Sequence, residues 1–347
     1  MRMIDRRTTL WLKAAALSAA LAWAPAAAAQ DAGGFYAGKT VTLSVGLSAG
    51  GVYGLYGRLL SEHFPRHIPG KPTMITQFMQ GAGGLTGANY LGSAAPKDGT
   101  YIALLFKDAT ITQLLRPKAA KYDASKFRWI GRITTYNAVL VVSGASGIRS
   151  FEDTRKREVI MGATGGKATG SYMIPTLLNS VAGTRFKVIS GYAGAAGMTM
   201  AMEKGETHGW AGGALTGYKG PRAQQVKDGS VVILLQSGLE RDRDFPDVPL
   251  LREVVKDAES RPAVEFIDSS NVVGLAIAAP AGVSEDKIAV LRAAFARTVR
   301  DPAFIEDVTK RNLDVLPMEG EALQKFVEDT LATPQKVVDQ VQAILKL

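Results

Sequence analysis

Short apolar runs and glycine-rich loops alternate along this chain, and segments with helical spacing of apolar residues follow many of the loops. The first such unit begins with a mostly β-branched run, Val41 to Val45. A loop of mainly small residues with three glycines follows, and large apolar residues then recur at helical spacing up to Phe64. This pattern predicts a strand, a tight loop and a helix.

The same unit recurs twice before residue 116, with apolar runs at Met74 to Met79 and Tyr101 to Phe106. Alternating strands and helices predict an α/β fold with a mostly parallel sheet and helices on both faces. Ligands of such sheets bind at the carboxyl ends of the strands. Loops 46–54, 81–87 and 106–110 should therefore open on one edge.

The unit then repeats in a second domain. Two apolar strands at Ile130 to Ile133 and Ala138 to Val142 lie nearly back to back and predict a first crossing, and Val231 to Leu235 predicts a second. The predicted division is 30–138 with 237–347 as lobe 1 and 139–236 as lobe 2. An apolar strand at Val272 to Ala279 and three amphipathic helices complete lobe 1.

The first 29 residues have the pattern of a secretory signal peptide. A basic head with Arg6 and Arg7 precedes an apolar segment too short to span a bilayer, and Ala27 to Ala29 form a small-residue cleavage site before Gln30. We therefore expect export to the periplasm. The sequence leaves the Sec and twin-arginine routes open.

Charge and composition narrow the function. Without the signal peptide, 37 basic and 31 acidic residues remain, a net charge of +6, and no long basic run concentrates it. Nucleic-acid binding is therefore not indicated, whereas a preference for small anions is. The absence of cysteine excludes disulfides, thiolate metal sites and a cysteine nucleophile.

The loop from Gly46 to Gly51 permits three interpretations. Backbone amides at a helix start favour anions, and Gly50 and Gly51 have no Cβ to hold a ligand away. The segment also matches G-x-S-x-G, the nucleophile elbow of α/β-hydrolases, with Ser48 as the nucleophile. A purely structural turn is the third interpretation. Among the three histidines, only His208 is placed to complete a triad, and no oxyanion segment precedes the loop.

Other glycine loops give weaker signals. Gly81 to Gly87 lacks the third glycine of a dinucleotide fingerprint and predicts a supporting turn, and Gly162 to Gly170 fails the P-loop pattern. Lys167 in the latter loop is either an anion ligand or a solvated lysine. Trp210 beside a glycine pair either lines a pocket or belongs to the core.

Together, the ordered motifs resemble the solute receptors of tripartite tricarboxylate transporters, also called Bug receptors. The matching segments are Gly50-Gly51, Gly81 to Gly84, Pro96 to Gly99, Tyr122-Asp123 with Phe127, Gly165 in its loop, Tyr192 to Gly194, Phe245 to Leu250 and Ala279 to Gly282. They cover nearly the whole mature chain in the family's order.

The resemblance implies a two-lobed periplasmic binding protein, not an enzyme, that captures a small organic acid and delivers it to an integral membrane permease. It implies no cofactor and no metal, and we expect a monomer. Relatives often carry Asp at the position of Gly54 and Lys at that of Ala193, so this chain lacks the carboxylate that would hold an amino group. The predicted ligand-binding residues are Ser48, Ala49, Gly50, Gly51, Val52, Tyr53, Lys107, Asp108, Thr164, Gly165, Gly166, Lys167, Thr169, Tyr192 and Trp210.

Overall fold

The computed structural model describes residues 34–164, 166–220, 222–238 and 240–347. The predicted signal peptide and Gly165 lie outside the described residues. In chain order the strands are β1 (Thr40–Val45), β2 (Thr73–Phe78), β3 (Tyr101–Leu105), β4 (Arg128–Arg132), β5 (Ala138–Ser143), β6 (Val159–Thr164), β7 (Phe186–Tyr192), β8 (Gly209–Ala214), β9 (Val231–Ser237), β10 (Ala276–Ala279) and β11 (Met318–Glu319).

The α-helices are α1 (Val52–His63), α2 (Leu85–Ser93), α3 (Ala109–Leu115), α4 (Asp153–Lys156), α5 (Gly170–Val181), α6 (Gly194–Glu203), α7 (Thr216–Lys219), α8 (Ala223–Lys227), α9 (Leu251–Val254), α10 (Arg261–Val273), α11 (Glu285–Thr298), α12 (Pro302–Thr309), α13 (Gly320–Leu331) and α14 (Gln335–Leu345). Short 3₁₀ turns occupy Phe64–His67, Ala82–Gly84 and Gly144–Ser146. Within the described part of the chain, no helix is long and apolar enough to cross a membrane.

The strands form two sheets. The first sheet has six strands in the order β11-β4-β10-β3-β1-β2, and the second has five in the order β7-β6-β8-β5-β9. Helices cover both faces of each, with Tyr56 and Phe295 among the core residues on one face of the first sheet and Trp129 on the other. The predicted α/β architecture of two sheets flanked by helices is confirmed.

Parallel pairing holds only for part of each sheet. It joins β1, β2 and β3, and likewise β6, β7 and β8. The strands β10 and β5 pair antiparallel with both of their neighbours, so the expectation of mostly parallel sheets is corrected to mixed sheets. Each of these strands follows a passage of the chain from the other sheet and begins beside the carboxyl ends of its neighbours. It therefore runs in the opposite direction to them.

The segment from Val272 to Ala279 is a second correction. Val272 and Val273 end α10, Gly274 reverses the chain at a φ of 55°, and the strand begins only at Ala276. An apolar run of this length fits a buried helix end as well as a strand, and periodicity alone does not distinguish them.

Helix α10 joins the two places where the chain passes between the sheets. The Tyr136 amide, between β4 and β5, donates to the Asn271 carbonyl at 2.9 Å. The Asn271 side chain donates to Ser237 at the end of β9, also at 2.9 Å, and the Ser237 hydroxyl donates to Asp268. The domain limits at 138 and 236 remain predictions. Helix α14 belongs to the C-terminal segment that was predicted as part of lobe 1, yet it packs on α5 of the second sheet.

Asp268 makes this junction sensitive to pH. Burial raises its pKa from 3.8 to about 6, although hydrogen bonding from Ser237 and the charge of Lys107 oppose the shift. The folded state therefore keeps a proton that the unfolded chain releases, and its stability falls as pH rises from about 4 to about 6.

We expect Asp268→Asn to raise the free energy of unfolding at pH 7.5 by on the order of 1–3 kcal/mol, because the variant never buries a charge. Near pH 4 this gain should disappear. Urea unfolding at both pH values measures it, with the exposed Asp247→Asn as control. A variant that is less stable than wild type at pH 7.5 would show that the Asp268 charge is needed.

Candidate functional site

Loops from both sheets meet at the carboxyl ends of the parallel strands. A Cβ built on Gly83 of the first sheet's 3₁₀ turn would lie 2.6 Å from Thr169 Cγ2, and one built on Gly194 would lie 3.9 Å from Ser48 Oγ. We call this meeting place the loop seam: residues 46–51 and 82–84 on one side, and Thr164, residues 166–169 and Gly194 on the other. Three helices, α1, α5 and α6, begin there.

The first side of the loop seam presents free backbone donors. Helix α1 begins after Gly51 without a side-chain cap, and its first turn has no acidic residue. Among the described residues, the amides of Val52, Tyr53 and Gly54 donate no hydrogen bond. These amides and the positive end of the helix dipole favour an anion.

The glycines of this loop do not need unusual backbone angles. Gly51 has a φ of −95° and a ψ of 179°, and Gly50 is not among the residues with positive φ. A side chain at either position would therefore meet no backbone strain. A Cβ on Gly50 would have no atom within 4 Å, so the space beside it is open.

The second side of the loop seam carries three hydroxyls at the start of α5. Thr164 Oγ1 lies 3.2 Å from Thr169 Oγ1 and 3.3 Å from Ser171 Oγ, and the last two lie 3.1 Å apart. Thr169 is nine-tenths buried and donates to the Gly166 carbonyl at 2.7 Å. Helix α5 also lacks a side-chain cap.

Lys107 and Asp108 lie beneath the loop seam as an internal ion pair. Lys107 Nζ donates to Asp108 Oδ1 at 2.7 Å and to Ser270 of α10 at 2.9 Å, and both residues are only 6% exposed. The backbone amide of Lys107 donates to the Tyr53 hydroxyl at 2.9 Å. Burial raises the pKa of Tyr53, so the phenol stays neutral. These groups brace the loops with their own hydrogen bonds.

The side chains of two predicted ligand residues, Lys167 and Trp210, point away from the loop seam, and that of a third, Tyr192, packs beside it. Lys167 is exposed and its Nζ donates to the Lys346 carbonyl at 2.8 Å, at the end of α14. Trp210 is 2% exposed in the core on the α6 face of the second sheet, as the core interpretation held. Tyr192 ends β7 near the loop seam, with its ring 3.4 Å from the Cβ position of Gly162.

Sequence reasoning assigned no ligand role to some members of the seam. Ala82 and Gly83 belong to a segment interpreted as a supporting turn, and the turn is present, with φ of 144°, 70° and 105° at Gly81, Gly83 and Gly84. Ser171 and Arg116 carried no sequence signal, because their positions depend on how the two sheets approach.

The serine esterase interpretation fails on geometry. His208 precedes β8, whose other end faces the loop seam, and a six-residue strand spans about 20 Å. Its Nδ1 also accepts from the Ile160 amide at 2.9 Å. His63 is paired with Asp307 at the far end of α1. No histidine of residues 34–347 is therefore within reach of Ser48.

One group of side chains has metal-ligand character. Glu62, His63 and Asp307 bring ligand atoms within 4.8 Å of one another. Arg66 lies 3.5 Å from His63 Nδ1, and Arg311 lies 3.6 Å from Asp307. These two cations oppose a metal ion, and the group is remote from the loop seam.

A small cavity lies behind the loop seam, between Val52, Tyr136 and Thr216. Its volume is about 40 Å³, enough for one or a few water molecules but not for an organic acid of several carbons. A wider groove of about 630 Å³ near Lys126 and Arg292 opens at the amino end of β4, away from the loops. Neither alters the assignment of the site to the loop seam.

This geometry, two lobes with uncapped helix starts between them, defines a solute-binding protein of the periplasmic-binding type. The model of the tripartite tricarboxylate transporter family receptor, TctC, matches residues 64–343. The chain belongs to this family, as the resemblance implied, and the family consists of receptors, not enzymes.

Relatives and solved structures agree over most of the chain. A UPF0065 protein of Bordetella bronchiseptica is 26% identical over 312 residues, 89% of this chain and 84% of the relative. The periplasmic binding protein BugD superposes with a TM-score of 0.68 at 21% identity, covering 89% of this chain and 97% of BugD.

Two ligand-bound proteins of Rhodopseudomonas palustris have the same fold. One contains adipate and superposes with a TM-score of 0.69 at 18% identity, covering 87% and 97% of the two chains. MatC contains malate and superposes with a TM-score of 0.65 at 20% identity, covering 86% and 99%. These likenesses establish the fold.

The seam geometry generates a stability prediction at Gly54. A Cβ there would lie 2.1 Å from the Ala49 carbonyl oxygen, so the loop rests on the helix only because the side chain is absent. We expect Gly54→Ala to lower the free energy of unfolding by about 1–3 kcal/mol through overpacking.

Gly50→Ala is the matched control, because its Cβ meets no atom, and it should change stability by less than about 0.5 kcal/mol. Thermal and urea unfolding of both variants measure the difference. Equal stability of the two variants would contradict the close packing of the loop on α1.

Proposed function

We propose that this receptor binds the carboxylate of a small organic acid in the loop seam. The observation that carries the proposal is the set of free amides at the start of α1, opposite the uncapped start of α5. Carboxylates are well matched to such donors because each oxygen accepts two hydrogen bonds. The predicted residues Ser48 to Tyr53, Thr164, Gly166 and Thr169 line this position.

Charge supports an acid over an amine. Asp108 is neutralised by Lys107, and the seam loops contain no other acidic residue. The adipate and malate in the two structural neighbours are consistent with an organic acid here. Delivery to an integral membrane permease follows from the family's place in a transporter and belongs to the same proposal.

The periplasmic location and the monomeric state are part of this proposal. The basic head and alanine-rich segment of residues 1–29 support export, and a receptor for a membrane permease requires it. Intact-mass measurement of protein recovered from the periplasm should give a chain that begins within a residue or two of Gln30. Retention of Trp11 in the mature protein would contradict the signal peptide.

The binding proposal is tested at Ser48 and Gly50. A thermal-shift screen of organic acids identifies a ligand, since 100 times the dissociation constant adds about 2.7 kcal/mol to stability. In calorimetric titration, Gly50→Val should abolish binding because its branched side chain fills the space left for the anion. Ser48→Ala should cost only about 0.5–1.5 kcal/mol, one hydrogen bond.

His208→Ala provides the control, because His208 lies at the opposite end of β8 and should leave affinity unchanged. If Gly50→Val binds the acid as wild type does, the carboxylate does not occupy the seam beside α1.

A further inference from the structure

The loop seam has an unusual balance of charge. The five loops at this edge contain no aspartate or glutamate apart from Asp108, which Lys107 neutralises at 2.7 Å. They are residues 46–54, 79–87, 106–110, 162–171 and 190–197. A ligand ammonium would therefore find no counter-charge, whereas a second anionic group would meet no repulsion.

Arg116 occupies a fixed position next to these loops. It ends α3, where its amide donates to the Thr112 carbonyl at 2.8 Å. Its own carbonyl accepts from Ala119 at 2.9 Å and from Ala120 at 3.0 Å. Hydrogen bonds to its amide and to its carbonyl hold the Arg116 backbone, so the position of its Cα and Cβ does not depend on a ligand.

The guanidinium of Arg116 reaches the seam between the two sheets. Its Nη1 lies 3.8 Å from the Cβ position of Gly166, and the same position lies 3.7 Å from the Ala82 carbonyl oxygen. Gly166 belongs to the second sheet's loop and Ala82 to the first sheet's turn. Arg116 therefore stands where the loops of both lobes meet.

Within the described part of the chain, the positive charge of Arg116 has no counter-charge. No carboxylate there lies within 4 Å of its guanidinium, and the residue is half-buried. The neighbouring basic groups are already engaged, Arg58 with the Ala49 carbonyl at 3.0 Å and Lys167 with the Lys346 carbonyl. A planar guanidinium in this state matches a carboxylate with two parallel hydrogen bonds.

We propose that Arg116 binds a second carboxylate of the ligand, so that the receptor selects dicarboxylic acids that carry no amino group. This inference rests on the proposed function, because the first carboxylate is the one held by the amides of α1. The guanidinium beside Gly166 would hold one carboxylate and the α1 amides the other, so that the two groups define the ends of the ligand.

The experiment compares acids that differ in one carboxylate. Calorimetric titrations use succinate against butyrate and adipate against hexanoate, so that two spacer lengths are covered. The proteins are wild type, Arg116→Gln and Lys118→Gln. Lys118 is exposed, lies two residues away and has the same charge, so its variant controls for net charge. Circular dichroism melting verifies that all three proteins are folded.

Wild type should bind at least one diacid about 10- to 100-fold more tightly than its matched monoacid, the range expected for a charged hydrogen-bonded pair. Arg116→Gln should remove this preference and leave monoacid affinity within about threefold, and Lys118→Gln should behave as wild type. A preference that survives in Arg116→Gln, or that falls equally in both variants, overturns the role of Arg116. Wild-type binding of monoacids alone overturns it too, whereas no binding of any acid would overturn the proposed function itself.

Discussion

The close packing of glycine backbone against facing side chains at the loop seam is the constraint on which the rest of the structure depends. Gly83 lies against Thr169 so closely that a methyl group would be 2.6 Å from its Cγ2. Glycines at positive φ shape the first sheet's turn, and a side chain at Gly84 would be 2.6 Å from the Phe106 ring. Because large side chains do not fit where the loops touch, backbone amides and short hydroxyl side chains line the loop seam.

Buried polar groups hold the passages of chain between the two sheets. Lys107, Asp108, Asp268 and Asn271 are all less than a tenth exposed and bond mainly to one another or to α10. Such a network costs desolvation energy, and it specifies one arrangement only if its members are satisfied.

The sequence predicted the fold well where local signals decide it. The glycine loop after β1 and the C-terminal amphipathic helices follow from apolar spacing and turn residues. The prediction was wrong at Val272 and Val273, where a helix end and a strand share the same apolar composition. The sequence also did not predict that β5 and β10 run antiparallel to their neighbours, because strand direction depends on the end at which the chain enters each sheet.

The structure brings only some of the predicted site residues to the loop seam, for a related reason. Loop residues such as Ser48 and Thr169 follow strands directly, so their edge of the sheet could be inferred. Lys167 lies in the same loop as Thr169, yet its long side chain contacts the carbonyl of Lys346 at the end of α14, which is far along the chain. Arg116 comes to the seam only through the packing of α3 against the second sheet, which no local pattern reports.

A crystal structure of the receptor with an acid that the thermal-shift screen identifies would show directly where the carboxylate binds. We expect a carboxylate in the loop seam, with its oxygens about 2.7–3.2 Å from first-turn amides of α1. A carboxylate bound instead in the groove near Lys126 and Arg292, with the α1 amides facing only solvent, would contradict it.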